Sequence, residues 1–110
     1  MSQVTTHVLD TSRGRPAAGV PVELEERDDG IWRPLASGVT DADGRVTDLG
    51  PDAVPRGRYR LRFDTGAYFA ATGQRAFHPE VVVVFEVADD AHHHVPLLLS
   101  PFAYSTYRGS

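Results

Sequence analysis

Five histidines stand out in this chain of 110 residues, because three are consecutive at His92, His93 and His94. Imidazole is the side chain whose unperturbed proton affinity suits acid and base work near neutrality. On a strand, successive side chains alternate in direction. His92 and His94 then project to one side with Pro96 and Leu98, and His93 to the other with Val95, Leu97 and Leu99. The second row is apolar and reads as the core side. That leaves His92 and His94 on a face that also carries Leu98, which fits a surface covered by something other than water. The plain alternative is a solvated histidine cluster beside a turn. Near the start of the chain Val4, Thr6 and Val8 form one row and Thr5, His7 and Leu9 the other, so a further histidine sits opposite a core row. His7 and His94 come together if those two faces meet across a subunit interface.

Three imidazoles and a water also make a hydrolytic zinc site, and His92 with His94 could bind from one strand face. No carboxylate is positioned by the sequence to support such ligands, which weakens that reading. DADG at Asp41 to Gly44 resembles part of a calcium loop, yet aligning Gly44 with the loop glycine puts Val39 and Gly50 at ligand positions, and neither can serve. A tight turn delivering Arg45 to the start of a following strand explains the motif better, and a guanidinium there suits a planar, carbonyl-rich or anionic ligand. Arg56, Arg58, Arg60 and Arg62 alternate with Gly57, Tyr59, Leu61 and Phe63, which reads as a solvated strand face. No G-x-S-x-G elbow supports a serine nucleophile. There is no cysteine, and all eleven basic residues are arginine against fifteen acidic ones. Disulfides, thiolate metal sites, Schiff bases and a P-loop lysine are thereby excluded, and a net charge of −4 disfavours nucleic acid as a partner.

The elements that must position these groups are mostly strands. Tyr59, Leu61 and Phe63 against Arg58, Arg60 and Arg62 form a half-buried strand. Val20, Val22 and Leu24 alternate with Pro21, Glu23 and Glu25, and Asp28, Asp29 and Gly30 turn that run into Ile31 to Val39 as a hairpin. Val81 to Val87 is a β-branched run, and His92 to Ser100 resumes the pattern after Asp89 and Asp90. The exception is Asp64 to Gln74, where Thr65 as a cap, three alanines and Gly73 predict one short helix. With no internal repeat or low-complexity linker, residues 1–110 read as a single all-β sandwich domain. No basic leader followed by an apolar run opens the chain, and its longest apolar runs are far short of a membrane span, so a soluble cytoplasmic protein with no membrane partner is expected. A chain this short leaves much surface to bury against copies of itself.

Three segments together resemble one family. TTHVLDTSRGRPAAGVPVEL from Thr5 to Leu24, GVTDADGRVTDL from Gly38 to Leu49, and HHHVPLLLSPFAYSTYRGS from His92 to Ser110 look like the 5-hydroxyisourate hydrolases, the transthyretin-related enzymes of urate breakdown. The terminal YRGS separates these hydrolases from transthyretin itself, a hormone carrier of the same fold, and FHPEVVVVFEV from Phe77 to Val87 also fits. The resemblance implies two four-stranded sheets with one short helix, and a homotetramer built as a dimer of dimers with active sites in the channel between dimers. It implies no cofactor and no metal. The family's catalytic histidines fall on His7 and His94, its arginine on Arg45, and its substrate-binding terminal motif on Tyr107, Arg108, Gly109 and Ser110, with His92 in a secondary role. Two departures are visible: His93 stands where the family usually has tyrosine, and Ala103 where it usually has glycine. A transthyretin-type carrier and a β-sandwich adhesion or regulatory module are the rival expectations.

Overall fold

Alternating side chains become eight strands and one helix in a computed structural model that describes residues 2–110. The strands are β1 (Val4–Asp10), β2 (Arg15–Pro16), β3 (Pro21–Asp28), β4 (Ile31–Val39), β5 (Gly57–Phe63), β6 (Val81–Val87), β7 (His93–Leu99) and β8 (Tyr104–Thr106), with α1 (Thr65–Ala71) between β5 and β6. They form two four-stranded sheets, ordered β2-β1-β7-β8 and β4-β3-β5-β6. The expected sandwich of two sheets and one short helix is therefore what the chain forms.

Period two explains the layering. In β1 Val4, Thr6 and Val8 are buried while Thr5, His7 and Leu9 are half-buried, and in β5 Tyr59, Leu61 and Phe63 face inward. Val22 and Leu24 of β3 join Leu97 and Leu99 of β7 in the same core. The β3–β4 hairpin forms as expected, turning through Asp29 and Gly30, both at positive φ. A bulge between Leu24 and Glu25 interrupts its register, and Glu25 is buried.

β1 and β7 run parallel, pairing Thr5 with His94 and His7 with Pro96. A parallel pair cannot be joined by a hairpin, so nearly the whole chain intervenes. At the far end of β1, buried Asp10 accepts hydrogen bonds from Ser12 Oγ at 2.6 Å and from Tyr68 of α1 at 2.6 Å. Burial alone would raise this carboxyl, but the bonds from Ser12, Tyr68 and Gln74 outweigh it and leave Asp10 below the usual carboxylate value. The strand that carries His7 is thereby tied to the helix.

Two local expectations are corrected. Thr65 does not cap the helix. Asp64 does, accepting from Ala67 N at 3.0 Å, while Thr65 lies buried inside the first turn and donates to the His78 carbonyl at 2.8 Å. Gly73 ends the helix as expected, at φ +68° with Gln74 N bonded to Phe69 O. Arg45 does not begin a strand. It makes one isolated antiparallel bridge to His7, and the chain then runs irregularly to β5. Side chains replace the ladder there: Leu49 N donates to Ser2 Oγ at 3.0 Å and Val54 N to Gln3 Oε1 at 2.8 Å. Among the described residues no helix is long and apolar enough to cross a membrane.

Candidate active site

The parallel β1–β7 pairing brings Thr5, His7 and His94 onto one outer sheet face, from opposite ends of the chain. His92 lies just before β7 and is exposed, yet it stays with this group: its Nε2 is 2.7 Å from Thr5 Oγ1, which is also 2.8 Å from His94 Nδ1. The rings of His92 and His94 are 6.1 Å apart. His93 points the other way into the core, 5% exposed, and its Nδ1 donates to the Ala91 carbonyl at 2.6 Å.

Arg45 arrives through a turn that its own sequence builds. Asp41 Oδ1 accepts from Asp43 N at 2.9 Å and from Arg45 N at 3.1 Å, and Gly44 crosses at φ +77° so that its carbonyl takes Val8 N at 2.8 Å. A Cβ on Gly44 would lie 2.3 Å from the Val8 carbonyl oxygen, so only glycine lets the turn sit this close to β1. Arg45 is consequently held beside His7.

The end of the chain supplies another wall. Gly109 N donates to the His94 carbonyl at 2.9 Å, and a Cβ there would meet His94 Cδ2 at 2.5 Å. Arg45, His92, His94, Asp41, Thr5 and Ser110 line a cavity of about 380 Å³. That volume falls in the range of small-molecule sites. His7 stands at its margin, through the bridge to Arg45. Tyr107 and Arg108 line a second hollow of about 210 Å³ that shares His94 as a wall, and Tyr107 is 58% exposed in the single chain. The sequence-predicted residues thus divide, with His94 common to both hollows and Gly109 packed between them.

Burial, followed by electrostatic repulsion from His92, Arg45 and His7, pushes His94 below the ordinary imidazole value of 6.5. A histidine so placed is largely neutral near neutrality and can take a proton there. The described residues include no group of three or more histidine, cysteine or acidic side chains that could hold a metal ion. Thr5 escaped the sequence reading as a site residue. Its signal was its place in the same row as His7, two positions away. Asp41 escaped in the same way, visible only as part of the turn that delivers Arg45.

Comparison with known proteins gives this geometry relatives. The HIUase/Transthyretin family model matches residues 4–109. A 5-hydroxyisourate hydrolase of Caulobacter vibrioides is 47% identical over 115 residues, covering 100% of both chains. Among solved structures, the Klebsiella pneumoniae 5-hydroxyisourate hydrolase matches with a TM-score of 0.86 at 41% identity, covering 97% of this chain and 98% of that one. Sea bream transthyretin in complex with thyroxine matches with a TM-score of 0.92 at 37% identity, covering 97% and 94%. On fold, sequence and span together, the chain belongs to the HIUase/Transthyretin family.

Proposed function

We propose that this chain hydrolyses 5-hydroxyisourate in urate degradation, opening the six-membered ring to give 2-oxo-4-hydroxy-4-carboxy-5-ureidoimidazoline. The observation that carries the reading is the convergence of His7, Arg45 and His94, with His7 bridged to Arg45, and Arg45 and His94 lining one cavity of suitable size. Relatives named as 5-hydroxyisourate hydrolases at up to 47% identity support it.

The chemistry follows from the groups at hand. Water must attack a carbonyl carbon, which needs a base, a stabiliser for the developing oxyanion and a means of orienting a flat heterocycle. His94, kept neutral by burial and by the Arg45 charge nearby, accepts the water proton, and His7 shares the acid and base work across the face. Arg45 offers a planar fork of N–H donors to carbonyl oxygen or to the charge that develops on it. Gly109 and Ser110 close the cavity beside His94, and Tyr107 and Arg108 extend the substrate-binding surface through the neighbouring hollow. Neither a metal nor an organic cofactor enters these steps. In solution the reading calls for a homotetramer, a dimer of dimers in which the β1–β7 face lines the channel, acting in the cytoplasm on a small-molecule substrate and without nucleic acid.

The deciding experiment follows the ultraviolet absorbance of freshly generated 5-hydroxyisourate with and without the protein. Accelerated decay proportional to enzyme concentration is expected, unchanged after exhaustive dialysis against chelator. The resemblance to sea bream transthyretin with thyroxine favours a second reading, a ligand carrier, which predicts stoichiometric binding of an aromatic ligand and no turnover.

A further inference from the structure

Between His92 and His94 the fold places a hydroxyl whose bonding capacity is smaller than its surroundings demand. Thr5 faces His94 across the parallel ladder, and Oγ1 lies within hydrogen-bond distance of both imidazoles, at 2.7 Å and 2.8 Å. A threonine hydroxyl has one proton and two lone pairs. It can donate to only one ring nitrogen, so at least one of the two contacts is an N–H donating to Oγ1. Both rings donating to its two lone pairs would break the connection between them, and a hydroxyl that links the two tautomers has two polarities. In one, His94 Nδ1–H donates to Thr5, Thr5 O–H donates to His92 Nε2, and His94 Nε2 is bare. In the other, Thr5 donates to His94 Nδ1, the His94 proton sits on Nε2, and that nitrogen has nothing with which to accept a proton from water. Nε2 is the His94 nitrogen with no protein partner among the described residues, so it is the one available to substrate and water.

We infer that Thr5 is a positioning residue for the proposed hydrolysis, holding His94 with a bare Nε2 and passing the proton charge on to His92. The inference rests on the hydrolase reading above. When Nε2 takes a proton from the attacking water, the Nδ1 proton moves to Thr5 Oγ1 as the Thr5 hydroxyl proton moves to His92 Nε2. His94 is left neutral, His92 becomes the imidazolium, and the hydroxide formed from water adds to the carbonyl carbon. Delivery of the Nε2 proton to the leaving ring nitrogen reverses the shift and restores the first polarity. The arrangement suits the charges around it. His94 faces His7 from β1, Arg45 and Asp41 from the turn, Arg108 and Ser110 from the terminal segment, Glu86 from β6 and His92 from its own side. Of the two linked imidazoles His92 is the more exposed, so solvent stabilises the charge better there than on half-buried His94.

The test uses the full chain with nitrogen-15-labelled histidine. Long-range proton–nitrogen correlation spectra report the tautomer of each ring without substrate, and steady-state kinetics run beside them. Wild type is expected to show His94 protonated at Nδ1 and His92 bare at Nε2. Thr5→Val, which keeps the shape and removes the hydroxyl, is expected to show mixed tautomers at His94 and to lower kcat about 10- to 100-fold with KM little changed. Thr5→Ser, which restores the hydroxyl, is expected to recover the wild-type spectrum and most of kcat. A wild-type spectrum with His94 protonated at Nε2, or with neutral His92 protonated at Nε2, overturns the inference, as does Thr5→Val with unaltered tautomers and rate. Wild-type protein inert toward 5-hydroxyisourate defeats the hydrolase reading instead, and tautomers that scramble in Thr5→Val still support the link.

Discussion

The outer faces of the two sheets both carry ionisable side chains, and they use them in opposite ways. On the β3–β5 face the central cations, Arg60 and Arg62, each have a carboxylate. Arg60 Nε donates to buried Glu25, and Arg62 reaches Glu25 at 3.5 Å and Glu80 at 2.9 Å. Arg60 also stacks 4.6 Å above the Trp32 ring. Burial would raise Glu25, but the Arg60 hydrogen bond, the Glu23 hydrogen bond and both guanidinium charges outweigh it and leave Glu25 below the ordinary carboxylate value. Glu23, hydrogen-bonded to Glu25, is held above that value. On the β1–β7 face Arg45, His7, His92 and His94 gather, and among the described residues none of them has a carboxylate within ion-pair distance. Charges already neutralised fix a sheet. Charges left unmatched repel one another and are relieved by an electron-rich guest.

The sharpest way to break this contrast is to change the unmatched face. Arg45→Lys and His94→Asn are each expected to cut kcat by about 100-fold or more, because ammonium lacks the planar fork and amide cannot serve as the base. Melting temperature should move little, since neither group is paired with a carboxylate. Near-wild-type kinetics for either variant removes that residue from the reaction, and His7→Asn is read in the same assay.

A smaller loss is expected from Gly109→Ala. The new Cβ would sit 2.5 Å from His94 Cδ2 and 3.3 Å from Pro96 Cγ, so the ring has to shift. Misplacement of that order is expected to cost about 10- to 100-fold in rate with circular dichroism unchanged. Full activity would show that the position of His94 is not critical.

The matched face should respond in stability alone. Glu25→Gln leaves Arg60 short of a carboxylate and is expected to cost about 1–2 kcal/mol, a figure discounted for the solvent that reaches Arg62, with kcat/KM unaltered. The pH dependence has a definite sign. Because the folded value of Glu25 is depressed, its contribution is complete above the ordinary value of 4.5 and is lost as pH falls through the lower folded value. Urea unfolding at neutral and acid pH should show the gap between wild type and variant closing in acid.

The smallest expected effect is a displacement of a pH profile. With His94 as base, kcat/KM is present above its folded pKa and lost below it, and that limb lies below 6.5. His92→Asn removes a neighbour whose protonation depresses His94, so the limb should move up toward 6.5, alongside the fall in kcat that loss of the far end of the Thr5 link brings. An unmoved limb would show that His94 does not feel His92.

What the sequence disclosed was local. Tyr59, Leu61 and Phe63 announce a strand because alternation is written in adjacent residues, and the same rule put His7 and His94 opposite core rows. The parallel pairing of β1 with β7 is a relation between residues at opposite ends of the chain, and no local period contains it. Thr5 stayed hidden for that reason. In VTTHV it is an ordinary strand former, and its role exists only once His92 and His94 are beside it. Arg45 was misplaced on a strand because the hydrogen bonds that hold the following loop come from Ser2 and Gln3, which the local reading did not join to it. The helix cap slipped by one residue because Asp64 and Thr65 are both good caps, and only packing decided which of them turned inward.

The β1–β7 ladder also has a consequence in time. Thr5 and His94 are 89 residues apart, so the cavity is closed by one of the longest-range contacts the chain can make. Closing so large a loop carries an entropic cost that neighbouring hairpins such as β3–β4 do not meet, and topologies rich in such contacts fold slowly. During synthesis the segment bearing Thr5 and His7 waits, unpartnered on that side, until the segment bearing His92 and His94 has emerged. A growing chain therefore cannot assemble a partial version of this site. Reactive geometry and completed topology arrive together, and the onset of activity in a refolding experiment would serve as a clock for the last strand pairing.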